Sequence, residues 1–374
     1  MSGELGLIHS FRHRVFEPMQ AYRGSQASAG REIGLIEFMQ TRAINEKSMP
    51  GGLRNTRGEP ISWEDIWCDL GLDPKNVTLD NLISLSGDIK YLAPELVREF
   101  ILKGVMAEPW YLDLCAGQED VGSMDVTTPW IEYGREAPQI SGEAETIAQA
   151  AITWGQKSIR LHKKAIGITM SDELLLSVPL PLLQYFLRRV GIQLAAGWNR
   201  EAVATLINGD QANGLDSCAV IGVGTADSLE FADFLRPWTR GRRLYVRWDN
   251  LITSEATAND VLGLDEFSKP QGLGGVVVEL DSRNRIIPQR MPHFVSGQMG
   301  DGQSMLVDRK MSMMFLLFRG LLVESEHIVM RQVNGTAASM IGGFSTIDRT
   351  GRVIVDKSLA FATHGFPSWM APLD

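Results

Sequence analysis

Between Pro181 and Gly209 the apolar residues fall at helical spacing, and this stretch constrains the chain more than any other. Leu183, Leu187, Val190, Leu194, Trp198, Ala202 and Leu206 form one stripe. Asn208-Gly209 supplies a C-terminal stop. About 27 residues at ~1.5 Å each give a helix roughly 40 Å long, which must be covered along its stripe. Just upstream, Ser171-Asp-Glu-Leu-Leu-Leu reads as a capped turn, with Ser171 at the N-cap.

What precedes and follows this helix is strand-rich. Residues 126–170 read as a long β-hairpin. One limb is Val126-Thr-Thr-Pro-Trp-Ile-Glu-Tyr, and the tip runs from Arg135 to Thr146. On the returning limb Ile159 and Leu161, then Ile166, Ile168 and Met170, alternate with polar or small residues. Two strands alone are marginal, so this hairpin needs something to pack on, and another subunit would serve. Downstream, Asp210–Gly224 reads as a loop, Ser228–Leu235 as a short helix and Ser254–Phe267 as another. Strands are expected at Val276–Leu280, Ser304–Asp308, Met311–Phe318 and Leu321–Glu324. A closing hairpin pairs Gly343–Ile347 with Arg352–Ala362 through Asp348-Arg-Thr-Gly. Pro94–Val105 makes a helix with Pro94 near its first position, and Ser62–Leu70 a shorter one. The fold class is α+β.

The 374 residues carry a net charge of −9, unevenly spread. Residues 1–57 hold 8 Lys/Arg against 5 Asp/Glu, residues 58–134 hold 4 against 15, and the remainder 24 against 25. A basic arm is thus followed by an acidic block, the kind of asymmetry that marks partner surfaces as well as solvated faces. An acidic total argues against a dedicated nucleic-acid reader. Cys68, Cys115 and Cys218 are odd in number and far apart, which excludes a disulfide framework and a clustered metal site. No apolar run approaches the ~20 residues of a membrane span. The N-terminus does not read as a secretory signal.

Chemistry is scarce in the sequence. Gly222-Val-Gly224 lacks the Gly-Lys-Ser/Thr of a phosphate loop and reads as a flexible loop. His9 and His13 stand at i, i+4 without a third ligand, so no metal and no cofactor is expected. No nucleophile elbow is present, and Cys218 has no partnered histidine. The one concentrated segment is Arg236, Arg240, Arg242, Arg243 and Arg247 interleaved with Trp238, Tyr245 and Trp248. Arginine with aromatics suits a protein interface core, or nucleic acid through phosphate pairing and stacking; the interface is favoured.

The order of the parts carries a resemblance. An N-terminal arm precedes the charged hairpin. Next come Ile168-Thr-Met-Ser-Asp-Glu-Leu-Leu and the long helix closing Trp198-Asn-Arg-Glu-Ala-Val-Ala-Thr-Leu-Ile-Asn-Gly-Asp. Then follow Trp248-Asp-Asn-Leu-Ile-Thr-Ser, Ser304-Met-Leu-Val-Asp, Leu321-Leu-Val-Glu-Ser-Glu-His and Gly343-Phe-Ser-Thr-Ile-Asp. Over about residues 120–365 this resembles the major capsid protein of tailed bacteriophages, with the Hong Kong 97-type fold.

The resemblance implies an N-terminal arm over residues 1–125 and an extended E-loop over 126–170 lying on a neighbouring subunit. It implies a peripheral domain over 171–215 and 325–374 with the long helix as its spine, and an axial domain over 216–324. The implied function is a structural, non-enzymatic shell protein forming pentamers and hexamers around double-stranded DNA, bound without sequence specificity. Portal, scaffold and decoration proteins are further implied partners, and a membrane is not. The implied location is the virion, assembled in the host cytoplasm. Intersubunit contacts are expected at Arg135, Glu136, Glu143, Glu145, Trp154, Lys157, Arg160, Arg240, Arg242 and Arg243. One branch of the family cross-links Lys to Asn. Lys157, Lys163, Lys164 and Asn334 are the available types, but their surroundings do not match, so no cross-link is expected. Residues 1–120 show no heptads, so no coiled scaffold segment is expected to be cleaved from them. The competing readings are an encapsulin-like compartment holding a protein cargo, and a soluble enzyme with an unrecognised site.

Overall fold

The structure is a computed structural model that describes residues 92–131, 152–210, 217–264, 291–328 and 333–370. The expected Ser62–Leu70 helix, the hairpin tip, the Val276–Leu280 strand, and His9, His13 and Cys68 lie outside these residues. The chain divides into two compact units. No described helix is long and apolar enough to cross a membrane.

The first unit takes its described residues from 92–108, 163–196, 319–328 and 333–341. Helix α1 is Leu92–Val105, so Pro94 sits in the first turn, where its missing N–H leaves no bond unmade. Strand β4 (His162–Ser171; those before it are given below) leads into α2 (Asp172–Ser177). The Ser171 hydroxyl accepts from the Leu174 N–H at 3.3 Å, which is the expected cap. Helix α3 runs Leu180–Asn208, with Gly209 following in the left-handed region at φ 76. Its stripe is buried as expected, Val190 alone being half-exposed. Helices α1 and α3 touch backbone to backbone. A Cβ on Gly104 would lie 2.1 Å from the Arg188 oxygen, and one on Gly191 2.1 Å from the Ile101 oxygen.

The second unit takes its described residues from 109–131, 152–162, 197–210, 217–264, 291–318, 342–346 and 347–370. A 3-10 turn at Trp110–Leu114 leads to β1 (Gln118–Asp120). Strand β2 (Asp125–Ile131) pairs antiparallel with β3 (Ile152–Arg160), the expected hairpin stem, with Val126 opposite Ile159. The returning limb, however, is not one strand. It breaks at buried Leu161, whose N–H donates to the Met124 carbonyl, and β4 joins another sheet, of order β1-β9-β10-β4. In that sheet β9 (Met313–Ile328) and β10 (Val333–Thr346) are long. The strands expected at Met311–Phe318 and Leu321–Glu324 are both parts of β9, preceded by a short helix, Arg309–Ser312, capped by Asp308.

A second, mixed sheet has five strands in the order β5-β11-β8-β6-β7. These are β5 (Ala219–Val223), β6 (Asn250–Thr253), β7 (His293–Val295), β8 (Gln303–Val307) and β11 (Arg352–Ala360). Strand β5 falls inside the expected Asp210–Gly224 loop; its alternating apolar residues pair parallel with β11, Val353 opposite Ala219. Nor do the ends of β10 and β11 form a hairpin. The backbone after β10 turns to Ser312 and Met311 instead (Ile347 N to Ser312 O and Asp348 N to Met311 O, both 3.0 Å), and β11 pairs with β8. Helix α4 (Phe231–Arg243) starts later and runs further than the Ser228–Leu235 expected, and α5 (Glu255–Leu262) is shorter than Ser254–Phe267.

Two apolar clusters fill this unit. Ile221, Val223, Phe234, Val246, Trp248, Leu251, Val261, Leu306, Val353 and Val355 pack around α4 and the five-stranded sheet. Elsewhere Tyr111, Trp198, Phe315 and Phe344 meet with ring centroids 5.1–6.2 Å apart, mostly edge to face.

Candidate functional site

The basic-aromatic segment becomes the C-terminal half of α4 and the turn after it. Glu230 and Asp233 form a capping box at the helix start, and Asp233 Oδ1 also accepts from Arg236 Nη1 at 3.0 Å. The same carboxylate oxygen takes the Gly224 N–H at 2.8 Å, so the glycine pair is occupied by a side chain and forms no phosphate cradle. Pro237 stands inside the helix and is buried, its carbonyl accepting from Trp248 Nε1 at 2.7 Å.

Two of the arginines turn inward. The Arg236 guanidinium lies 5.1 Å from the Phe361 ring centre, and that of Arg240 5.1 Å from Phe366. Phe361 and Phe366 meet edge to face at 5.7 Å, and Arg240 Nε donates to the Met370 carbonyl at 2.8 Å. Arg349 covers the Trp369 ring at 4.4 Å. These guanidinium–ring contacts fasten residues 361–370 to their own unit. Arg242, Arg243, Tyr245 and Arg247 remain exposed, Arg242 lying 4.9 Å over Trp238. Sequence reasoning missed this division because Phe361, Phe366 and Trp369 stand more than 110 residues away along the chain, and nothing local signals them.

The other predicted contact residues are placed as follows. Trp154 and Lys157 lie on β3, Lys157 in register with Thr128. Arg160 ends β3 opposite Asp125 and is exposed. Arg135, Glu136, Glu143 and Glu145 lie outside the described residues.

The reactive groups on the described residues are put to structural use. Burial pushes the Cys115 thiol up to about 12, the Arg309 charge opposing, and its Sγ donates to the Tyr111 carbonyl. Cys218 is buried and donates to Ala219 O. Asp308 accepts from the Arg247 and Lys310 amides at 2.8 and 2.9 Å. Asp249, raised by burial against the opposing Arg309 amide, accepts that amide at 2.9 Å. An open cavity of about 420 Å³ is lined by Arg160, His162, Glu201, Thr205 and Asp210 among others, and Thr346 already holds the Asp210 carboxylate through its N–H and hydroxyl (3.0 and 2.8 Å). No group of three metal-ligating side chains occurs among the described residues.

His293, on β7, meets the Thr253 hydroxyl at 2.7 Å, and burial lowers it from 6.5 to about 4. The unfolded chain therefore binds a proton that the folded chain refuses as the pH falls from about 6.5 to about 4. Stability drops across that window by up to about 3 kcal/mol and is fully retained above it. His293→Gln should flatten the dependence of Tm on pH in this range; an unchanged slope would show that other groups govern it.

No protein-family model matches the chain, and no curated protein matches it. Among solved structures, the capsid of a native GTA particle computed with C5 symmetry superposes with a TM-score of 0.50 at 16% identity, over 67% of this chain and 91% of that one. The chain has a capsid-protein fold. The capsid of the empty GTA particle gives 0.49 at 15% identity, over 67% and 91%. The virus-like particle from Pyrococcus furiosus gives 0.48 at 8%, over 70% and 98%. The mixed class of helix and sheet read from the sequence is the class observed.

Proposed function

We propose that this chain is a major capsid protein that self-assembles into pentamers and hexamers of an icosahedral shell around double-stranded DNA. The observation that carries the reading is the capsid fold, matched over 91% of the GTA capsid chain. The paired stem β2–β3 fits the base of an E-loop over 126–170, and α3, 29 residues long, fits a spine helix. On this reading residues 1–125 are the arm, 171–215 and 325–374 the peripheral domain, and 216–324 the axial domain. Head-to-tail contacts between identical subunits close into rings, which is how capsomers would form.

Electron microscopy of the purified chain tests this. Closed icosahedral particles with nuclease-protected DNA are expected. Small oligomers under all assembly conditions would overturn the reading, and closed shells holding protein without DNA would replace it by the compartment.

A further inference from the structure

Helix α4 ends in a way that singles out one side chain. The Val246 N–H returns to the Gly241 carbonyl at 2.8 Å and the Tyr245 N–H to Arg242 at 3.4 Å. This is the six-to-one and five-to-two pairing of a Schellman motif, with Leu244 as C-cap and Tyr245 as the following residue. That position takes a left-handed backbone and is usually glycine, because a Cβ there meets the carbonyl. Tyr245 adopts it at φ 57. Its neighbours fix the geometry, since Leu244, Val246 and Trp248 are all buried. Yet Tyr245 is 74% exposed, so the strain is not offset by burial of the residue. Strained residues that the surroundings hold in place cluster at functional positions.

Around Tyr245 the exposed side chains are cationic: Arg242, Arg243 and Arg247. The same unit carries an exposed anionic run, Asp113, Glu119, Asp120 and Asp125. Of these, Glu119 and Asp120 lie on β1, which among the described residues is an edge strand, in register with Leu316 and Leu317 of β9. Edge strands avoid indiscriminate pairing by carrying charge, and opposite charges across an interface steer the encounter and fix its register. Tyrosine and arginine are the residue types that anchor protein interfaces.

We infer that Tyr245, with Arg242 and Arg247, is an assembly knob that docks on the acidic Glu119–Asp120 edge of a second copy of this chain. The contact is heterologous, using two different surfaces, so it propagates into rings and shells. The inference rests on the shell reading and names the surface that performs it.

Four variants of the full chain, compared with the parent by electron microscopy and thermal unfolding, decide the matter. Tyr245→Gly should unfold at the same or a higher temperature, because glycine suits the left-handed site, yet its yield of closed shells should fall at least tenfold. Tyr245→Asn, also tolerant of that backbone, should repeat the result. Arg242→Glu/Arg247→Glu should abolish shells, and adding Glu119→Lys/Asp120→Lys should restore them. Parent-like assembly of the Tyr245 variants, or failure of the charge reversal to rescue, would overturn the inference. Normal shells with a lowered DNA content would also overturn it, assigning the arginines to nucleic acid. A parent that forms no shell at all would sink the proposed function instead.

Discussion

Gly191→Val should lower the stability of the folded chain by at least about 3 kcal/mol, the upper end of what an overpacked site costs. The reason is that nothing near Gly191 can yield. Its added Cβ would stand 2.1 Å from the Ile101 oxygen, 2.7 Å from the Val105 nitrogen and 2.8 Å from the Gly104 Cα, all of them backbone. A flexible side chain could swing aside, but a helix backbone moves as a whole. Separating α1 from α3 would uncover side chains now buried on them, including Ile101, Val105, Leu187 and Leu194. Gly104→Ala meets the mirror-image obstruction, 2.1 Å from Arg188 O. The two substitutions break one contact, so their combined loss should be clearly less than the sum. Gly167→Ala, where nothing lies within 4 Å, is the control and should leave Tm unchanged. A valine at 191 tolerated at parental Tm would mean that the two helices do not cross at these glycines.

Trp198→Ala should cost about 3–5 kcal/mol, the range for removing a large aromatic side chain from a core. Trp198 is fully buried and meets Phe315 at 5.6 Å and Phe344 at 6.2 Å, both edge to face. Tyr111, which packs on the same two phenylalanines, donates its backbone N–H to Asn199 Oδ1 at 2.9 Å. The cavity left by alanine would thus open beside the contact that holds the 110–114 turn. Chemical denaturation should show a lowered midpoint, and Trp198→Phe should recover much of the loss by keeping a ring in place. A midpoint within 1 kcal/mol of the parent would mean that the cluster collapses without cost.

Legibility in the sequence followed the range of the interactions involved. Helix α3 could be read because its stripe and its Asn208-Gly209 stop are both local, and α2 because Ser171 caps the helix it begins. Strand partners beyond the β2–β3 stem could not be read. Leu161 continues the period-two pattern of β3 into β4, and only hydrogen bonding to Met124 reveals the break between two sheets. Helix α4 runs past the expected Leu235 and through Pro237, with the Glu230–Asp233 capping box at its start and the Pro237 carbonyl held by the Trp248 indole. The arginine-rich segment was visible as a candidate surface, but its split into inward and outward members depends on rings far along the chain. The left-handed backbone at Tyr245 gave no signal, because the residue that usually betrays a helix end there is glycine.

The crossing of α1 and α3 has a consequence for descent. Gly104 and Gly191 are the two halves of one contact, so a lineage that enlarged either residue would first have had to part the helices, a step too disruptive for a single mutation. The two sites should therefore be inherited as a pair. Divergent related genes should hold both small, or should carry some other crossing altogether, with intermediates missing from the record.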